Sequence, residues 1–226
     1  MSKPKSAAGS GAEPVDGAPG SEHVVDLLGL LALGGLARFA RIADDAARAA
    51  GVPGRLRLSR IAAAELQHVD AIAAYASELG GDLDAAMAAH TEALAELDAR
   101  TVPSDRWEGL ITTYIAYGVV ADLERELASP LGERVQHLVA DTGITEEVVG
   151  ELEPVLAQDS QLSSRLALWG RVVVGEALTF AQAVLAGHPG LLALIDGAQD
   201  QAAVTRLIGR LAGGHARRMD RLGLTA

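Results

Sequence analysis

The sequence contains no cysteine, which excludes disulfides, thiolate zinc sites and cysteine nucleophiles, so any metal must be held by carboxylate and imidazole. Aromatic residues make up only 3 % of the chain, too few for the aromatic and β-branched faces of a sandwich, and no stretch shows the apolar–polar alternation of a half-buried strand. The apolar run from Val24 to Leu36 is broken by Asp26 and by glycines and soon meets Arg38 and Arg41. It falls short of the roughly 20 residues that a membrane-spanning helix needs, and no membrane segment is expected. There is no glycine-rich phosphate loop and no nucleophile triad. A net charge of -11 works against non-specific nucleic-acid binding and leaves only a local basic patch as a means of holding a phosphate backbone.

What is present is helix-forming material. Of 226 residues, 49 % are hydrophobic and alanine is abundant, which suits one domain of closely packed helices with a sizeable core. Residues 1–21 carry Lys3 and Lys5 but no apolar segment, so they are no secretory signal; their Ser, Gly, Pro and Ala content reads as a disordered tail before a helical domain over 22–226. A cytoplasmic location is the expectation. Turn signals at Gly51 to Gly54, Gly80 to Asp82, Thr101 to Ser104, Ser129-Pro130, Asp159-Ser160 and Gly187 to Gly190 divide the domain. They predict helices over about 22–50, 55–79, 83–99, 104–128, 132–157 with a break near Gly143, 161–186 and 199–222. Asp82, Ser104 and Ser160 are the expected N-caps. Six to seven helices with short connections make an all-α antiparallel bundle.

The informative feature is a polar residue on an apolar stripe, because burying one without a partner is costly. In the second helix Ile61, Glu65, His68 and Ile72 share one face, so Glu-x-x-His presents a carboxylate and an imidazole together. Two readings stay open: ligands to one cation, or a Glu-His pair that is hydrogen-bonded or reaches solvent. Glu176 is the only ionisable member of the stripe Leu166, Trp169, Val173, Glu176, Phe180, and His215 lies on the apolar side of the last helix. A lone buried carboxylate needs a cation, a proton or several donors. His90 and His137 read as surface residues, His188 as a loop residue before Pro189, and His23 as a neighbour of the tail. Arg217, Arg218 and Arg221 read as helix-dipole partners, and Arg55, Arg57 and Arg60 as a solvated face or a phosphate patch.

A bundle with Glu-x-x-His on one helix and further carboxylates later resembles the ferritin-like di-iron proteins, and more narrowly the MiaE-like family of tRNA hydroxylases. The stretches that carry the resemblance are Ala63 to His68, Gly118 to Asp122, Leu138 to Gly143, Leu166 to Arg171 with Gly175 to Leu178, and His215 to Met219. The resemblance implies a non-haem iron centre that hydroxylates modified tRNA, with Glu65 and His68 as ligands, Asp141 or Asp122 completing the site, and Glu176 and His215 as further donors. This chain departs from the pattern where Gly35, Tyr117 and Ile144 stand in ligand positions. The resemblance therefore supports two readings: an iron-dependent, hydroxylase-like enzyme with tRNA as partner, or a degenerate ferritin-like protein that has lost its di-iron site and serves as a binding or scaffold module.

Overall fold

The computed structural model describes residues 20–49, 51–195 and 201–224, and the described residues form helices without strands. The segment read as a disordered tail lies outside the described residues up to position 19. The helices are α1 (Ser21–Arg48), α2 (Val52–Glu78), α3 (Leu83–Arg100), α4 (Arg106–Ala128), α5 (Glu133–His137), α6 (Ile144–Leu156), α7 (Ser160–Gly187), α8 (Pro189–Ala193) and α9 (Gln201–Arg221). The helix expected over 132–157 is two pieces, because Gly143 adopts a φ of 94°, a left-handed conformation that ends regular helix and favours glycine. The short α8 stands where a loop is expected; Pro189 opens it at a position that needs no N–H donor.

Local chemistry sets the helix starts. The Asp82 side chain accepts from Ala85 N at 3.0 Å, as expected. At α4 the cap is Asp105, which accepts from Glu108 N at 2.9 Å, while Glu108 reaches back to Ser104 N. At α7 the cap is Asp159, accepting from Leu162 N at 2.8 Å. In both cases the aspartate beside the expected serine takes the capping role, since its carboxylate also favours the positive end of the helix dipole.

α1, α3, α4 and α7 pack as a ring, with α2 laid along the outer side of α1 and α9 across α4 and α7. α1 is the central member. Its first half, Leu27 to Ala32, is buried all round, as expected of a helix with partners on several sides. A Cβ at Gly29 would lie 2.5 Å from the Ala86 carbonyl carbon, so only glycine lets α1 and α3 approach this closely. The second half of α1 changes character: Arg38, Arg41, Asp45 and Arg48 follow one another on a single face, and all four make ion pairs. α1 and α7 are each long and apolar enough, by length and composition, to cross a membrane; judged on the whole helix, α1 exceeds what the run from Val24 to Leu36 suggests. Here both are core helices, α1 against α2, α3, α4 and α8, and α7 against α3, α4 and α9.

Two histidines differ from expectation. His90 is 1 % exposed, on the inner side of α3. His188 ends α7 with its ring partly buried rather than free in a loop. His137 is exposed as expected, with Nδ1 2.6 Å from the Glu133 carbonyl.

Candidate functional site

Glu65 lies on the buried face of α2, 3 % exposed, as the stripe predicts. Its partner is an arginine from α1. Arg38 donates from Nε to Glu65 Oε2 at 3.0 Å and from Nη1 to both oxygens of Glu124, at 3.0 and 3.2 Å. Glu124 comes from α4 and is 1 % exposed. The second Glu65 oxygen accepts from Thr142 Oγ1 at 2.5 Å, at the entry to α6. One guanidinium therefore joins α1, α2 and α4, and Thr142 attaches the segment before α6. Gly34, one turn before Arg38, makes the room: a Cβ there would lie 2.2 Å from Glu124 Oε1.

Electrostatics explains why this arrangement is sharply defined. Burial works against the Arg38 charge, but Glu124 and Glu65 outweigh it and hold the guanidinium pKa above its ordinary value. Two carboxylates share one cation, and for Glu124 burial prevails over the attraction of Arg38, so its pKa is raised. Beside the clamp lies a cavity of about 60 Å³, bordered by Tyr114, Tyr117, Val139, Asp141 and Arg218 as well as by the clamp itself. Tyr117 is 3 % exposed and donates to Asp98 Oδ1 at 2.6 Å; burial pushes its pKa up, and Asp98 adds to the effect.

The other predicted site residues are dispersed. His68 is half-buried and does not border the cavity. Asp141 is exposed at the rim and accepts from Gly143 N at 2.7 Å, shaping the turn into α6. Asp122 pairs with Arg125 and Arg218, both at 2.7 Å. Glu176 faces a separate crevice between α3 and α7, with Arg100 at 3.6 Å. His215 is 6 % exposed, its Nδ1 has no hydrogen-bond partner, and burial together with the nearby Arg218 lowers its pKa. Gly35 packs on Val69 of α2. Of the arginines read as helix-dipole partners, Arg218 pairs with Asp122 and Arg221 with Glu146, and Arg57, read as part of a solvated face or phosphate patch, pairs with Glu147. Trp169 braces α7 on α4 by donating to Thr112 Oγ1 at 3.0 Å, away from the cavity.

Sequence reasoning missed Arg38 and Glu124. A signal existed for both: Tyr117, Val120, Glu124 and Leu127 fall on one helical face, as do Leu31, Gly35, Arg38 and Ile42.

A third buried carboxylate lies further along α1. Asp45 is 2 % exposed; its Oδ1 accepts no hydrogen bond and has only Arg48 Nη1 at 3.8 Å, and Oδ2 accepts weakly from Thr113 at 3.4 Å. Burial pushes its carboxyl up to about 6, against the pull of Arg41 and Arg48.

Two outcomes follow. Arg38→Met strands two buried carboxylates and should cost about 3–5 kcal/mol at pH 7 by urea unfolding, less at pH 5, since burial already raises the Glu124 pKa and favours its protonation there. The triple variant Arg38→Met, Glu65→Gln, Glu124→Gln should recover most of that loss. For Asp45 the folded pKa lies above the unfolded one, so its contribution is present below about pH 4 and is lost as pH rises through 6. Asp45→Asn should flatten that decline and gain up to about 3 kcal/mol at pH 7, at roughly 1.4 kcal/mol per pKa unit; an unchanged pH slope would rule out the assignment.

No curated protein matches the chain. A family model described as the ferritin-like domain of actinomycetes matches residues 20–198, from the start of α1 past the end of α8. That span covers well over half of the sequence and includes α1, α2 and α4, which meet at the arginine clamp: the chain belongs to the ferritin-like domain family of actinomycetes.

Proposed function

We propose that this chain is a ferritin-like binding module of the cytoplasm whose central cavity is organised by Arg38 rather than by iron. The observation that carries the reading is the guanidinium between Glu65 and Glu124. A carboxylate-bridged di-iron centre takes about four carboxylates and two imidazoles from its bundle. At this cavity two buried carboxylates already share a cation, His68 stands aside, and Asp141 is engaged in the turn before α6. These donors do not fit two irons.

The cavity continues into an open cleft of about 650 Å³ that shares Arg125, Asp141, Thr145 and Arg218 with it and adds Ser129 and Gln136. Arginines at the mouth and hydroxyl groups along the wall suit a small polar molecule with an anionic group. Anaerobic loading with ferrous iron followed by elemental analysis tests the reading. Expected is an iron content that Glu65→Gln and Glu124→Gln leave unchanged; near-stoichiometric iron that either variant abolishes would overturn it and restore the hydroxylase reading.

A second reading, tRNA as partner, is favoured by a groove between α4 and α9. Arg125, Arg206, Arg210 and Arg217 line it, and Arg206 and Arg217 are exposed with no ion-pair partner among the described residues. This local excess of positive charge on an acidic chain suits phosphate contacts. If it serves RNA, Arg206→Ala and Arg217→Ala should each weaken tRNA retention in low-salt gel shifts and reduce the salt slope by about one. Equal retention by wild type and the double variant would exclude the groove.

A further inference from the structure

Away from the clamp, at the end of the bundle where α1 begins, three side chains from three segments face one another. Asp26 of α1 has Oδ1 3.0 Å from His90 Nε2 of α3 and 3.0 Å from His188 Nδ1 at the end of α7. The three ligand atoms lie within 4.8 Å of one another, the only such His, Asp and Glu grouping among the described residues. The imidazole rings of His90 and His188 lie against each other, tilted by 30°, with centroids 4.0 Å apart.

We propose that Asp26, His90 and His188 form a mononuclear site for a divalent transition metal of the zinc type. Zinc bonds of about 2.0–2.2 Å to imidazole nitrogen and carboxylate oxygen place neighbouring ligand atoms a little over 3 Å apart, close to the 3.0 Å that separates Asp26 from each histidine. Two imidazoles and one carboxylate form a borderline donor set that suits zinc, and a chain without cysteine has no thiolate to offer. His90 is buried, with Nε2 also 3.2 Å from the Asp26 backbone carbonyl and Nδ1 without a hydrogen-bond partner, so Nε2 is the nitrogen directed at the site and must present its lone pair when metal binds. The fourth position is left to water, as in zinc sites with three protein ligands. Bound metal would tie α1, α3 and the α7–α8 junction together, stabilising the folded state as any ligand specific to it does.

The test uses the full chain, stripped with chelator and titrated with Zn²⁺ and with Co²⁺ as the spectroscopic probe. Expected are one equivalent bound, visible cobalt bands of a four-coordinate nitrogen and oxygen site, and a higher Tm. His188→Ala and Asp26→Asn, at partly exposed positions, should weaken binding by more than about 100-fold, beyond the 10–100-fold typical of changes to outer-shell groups. Glu65→Gln should bind as wild type, which separates this site from the central cavity. Wild type that binds neither ion at micromolar concentration, or His188→Ala and Asp26→Asn that bind as tightly as wild type, would overturn the proposal and leave a hydrogen-bonded Asp-His knot. Should a variant fail to fold, the wild-type cobalt protein decides: contact-shifted N–H resonances from two or more imidazoles support the site, and their absence refutes it.

Discussion

Two carboxylates brought into one buried space need a cation, and the choice of that cation governs this bundle. Glu65 and Glu124, 59 positions apart in sequence, arrive from α2 and α4, and Arg38 answers both. Removing two carboxylates and a guanidinium from water costs several kcal/mol per ion, offset only where the geometry satisfies every donor and acceptor. The fork of arginine satisfies all four carboxylate oxygens together with Thr142: Nε is directed to one Glu65 oxygen, Nη1 to both oxygens of Glu124, and Thr142 takes the remaining Glu65 oxygen. A lysine would present a single point charge and could not bridge in this way.

This constraint reaches outward through α1. The first half of that helix is apolar because it is surrounded, and the second half is charged because it runs beside α2 and α4 where their acidic groups turn inward. Arg41 continues the pattern toward Asp98 and lies over the Tyr117 ring, and Asp45 meets Thr113. α1 thus changes from hydrophobic anchor to polar spine within one continuous helix. Gly29 and Gly34 mark the two places where neighbours approach too closely for a side chain.

Much of this was legible from the residues alone. The helices, the break at Gly143 and the burial of Glu65 follow from periodicity of 3.6 residues and from turn chemistry. The same periodicity would have placed Glu124 and Arg38 on inner faces, but their charged surroundings, Leu123 to Glu126 and Ala37 to Arg41, look like solvated helix surface. His90 was read as exposed because its immediate neighbours are small or polar; it is buried because α1 and the end of α7 cover it. For Glu176 the error ran the other way: its stripe is apolar, yet it emerges at the edge of the α3–α7 contact and meets Arg100.

Local spacing determined the all-α class, the helix limits within a few residues and the presence of a polar group inside the bundle, because those properties depend on neighbours within about one or two helical turns. The partners were decided only by tertiary structure. Arg38 and Glu124 are 86 positions apart, and Asp26 and His188 are 162 apart. Whether such groups meet depends on how each helix is rotated and crossed against the next, which is fixed by packing the whole core and not by any one segment.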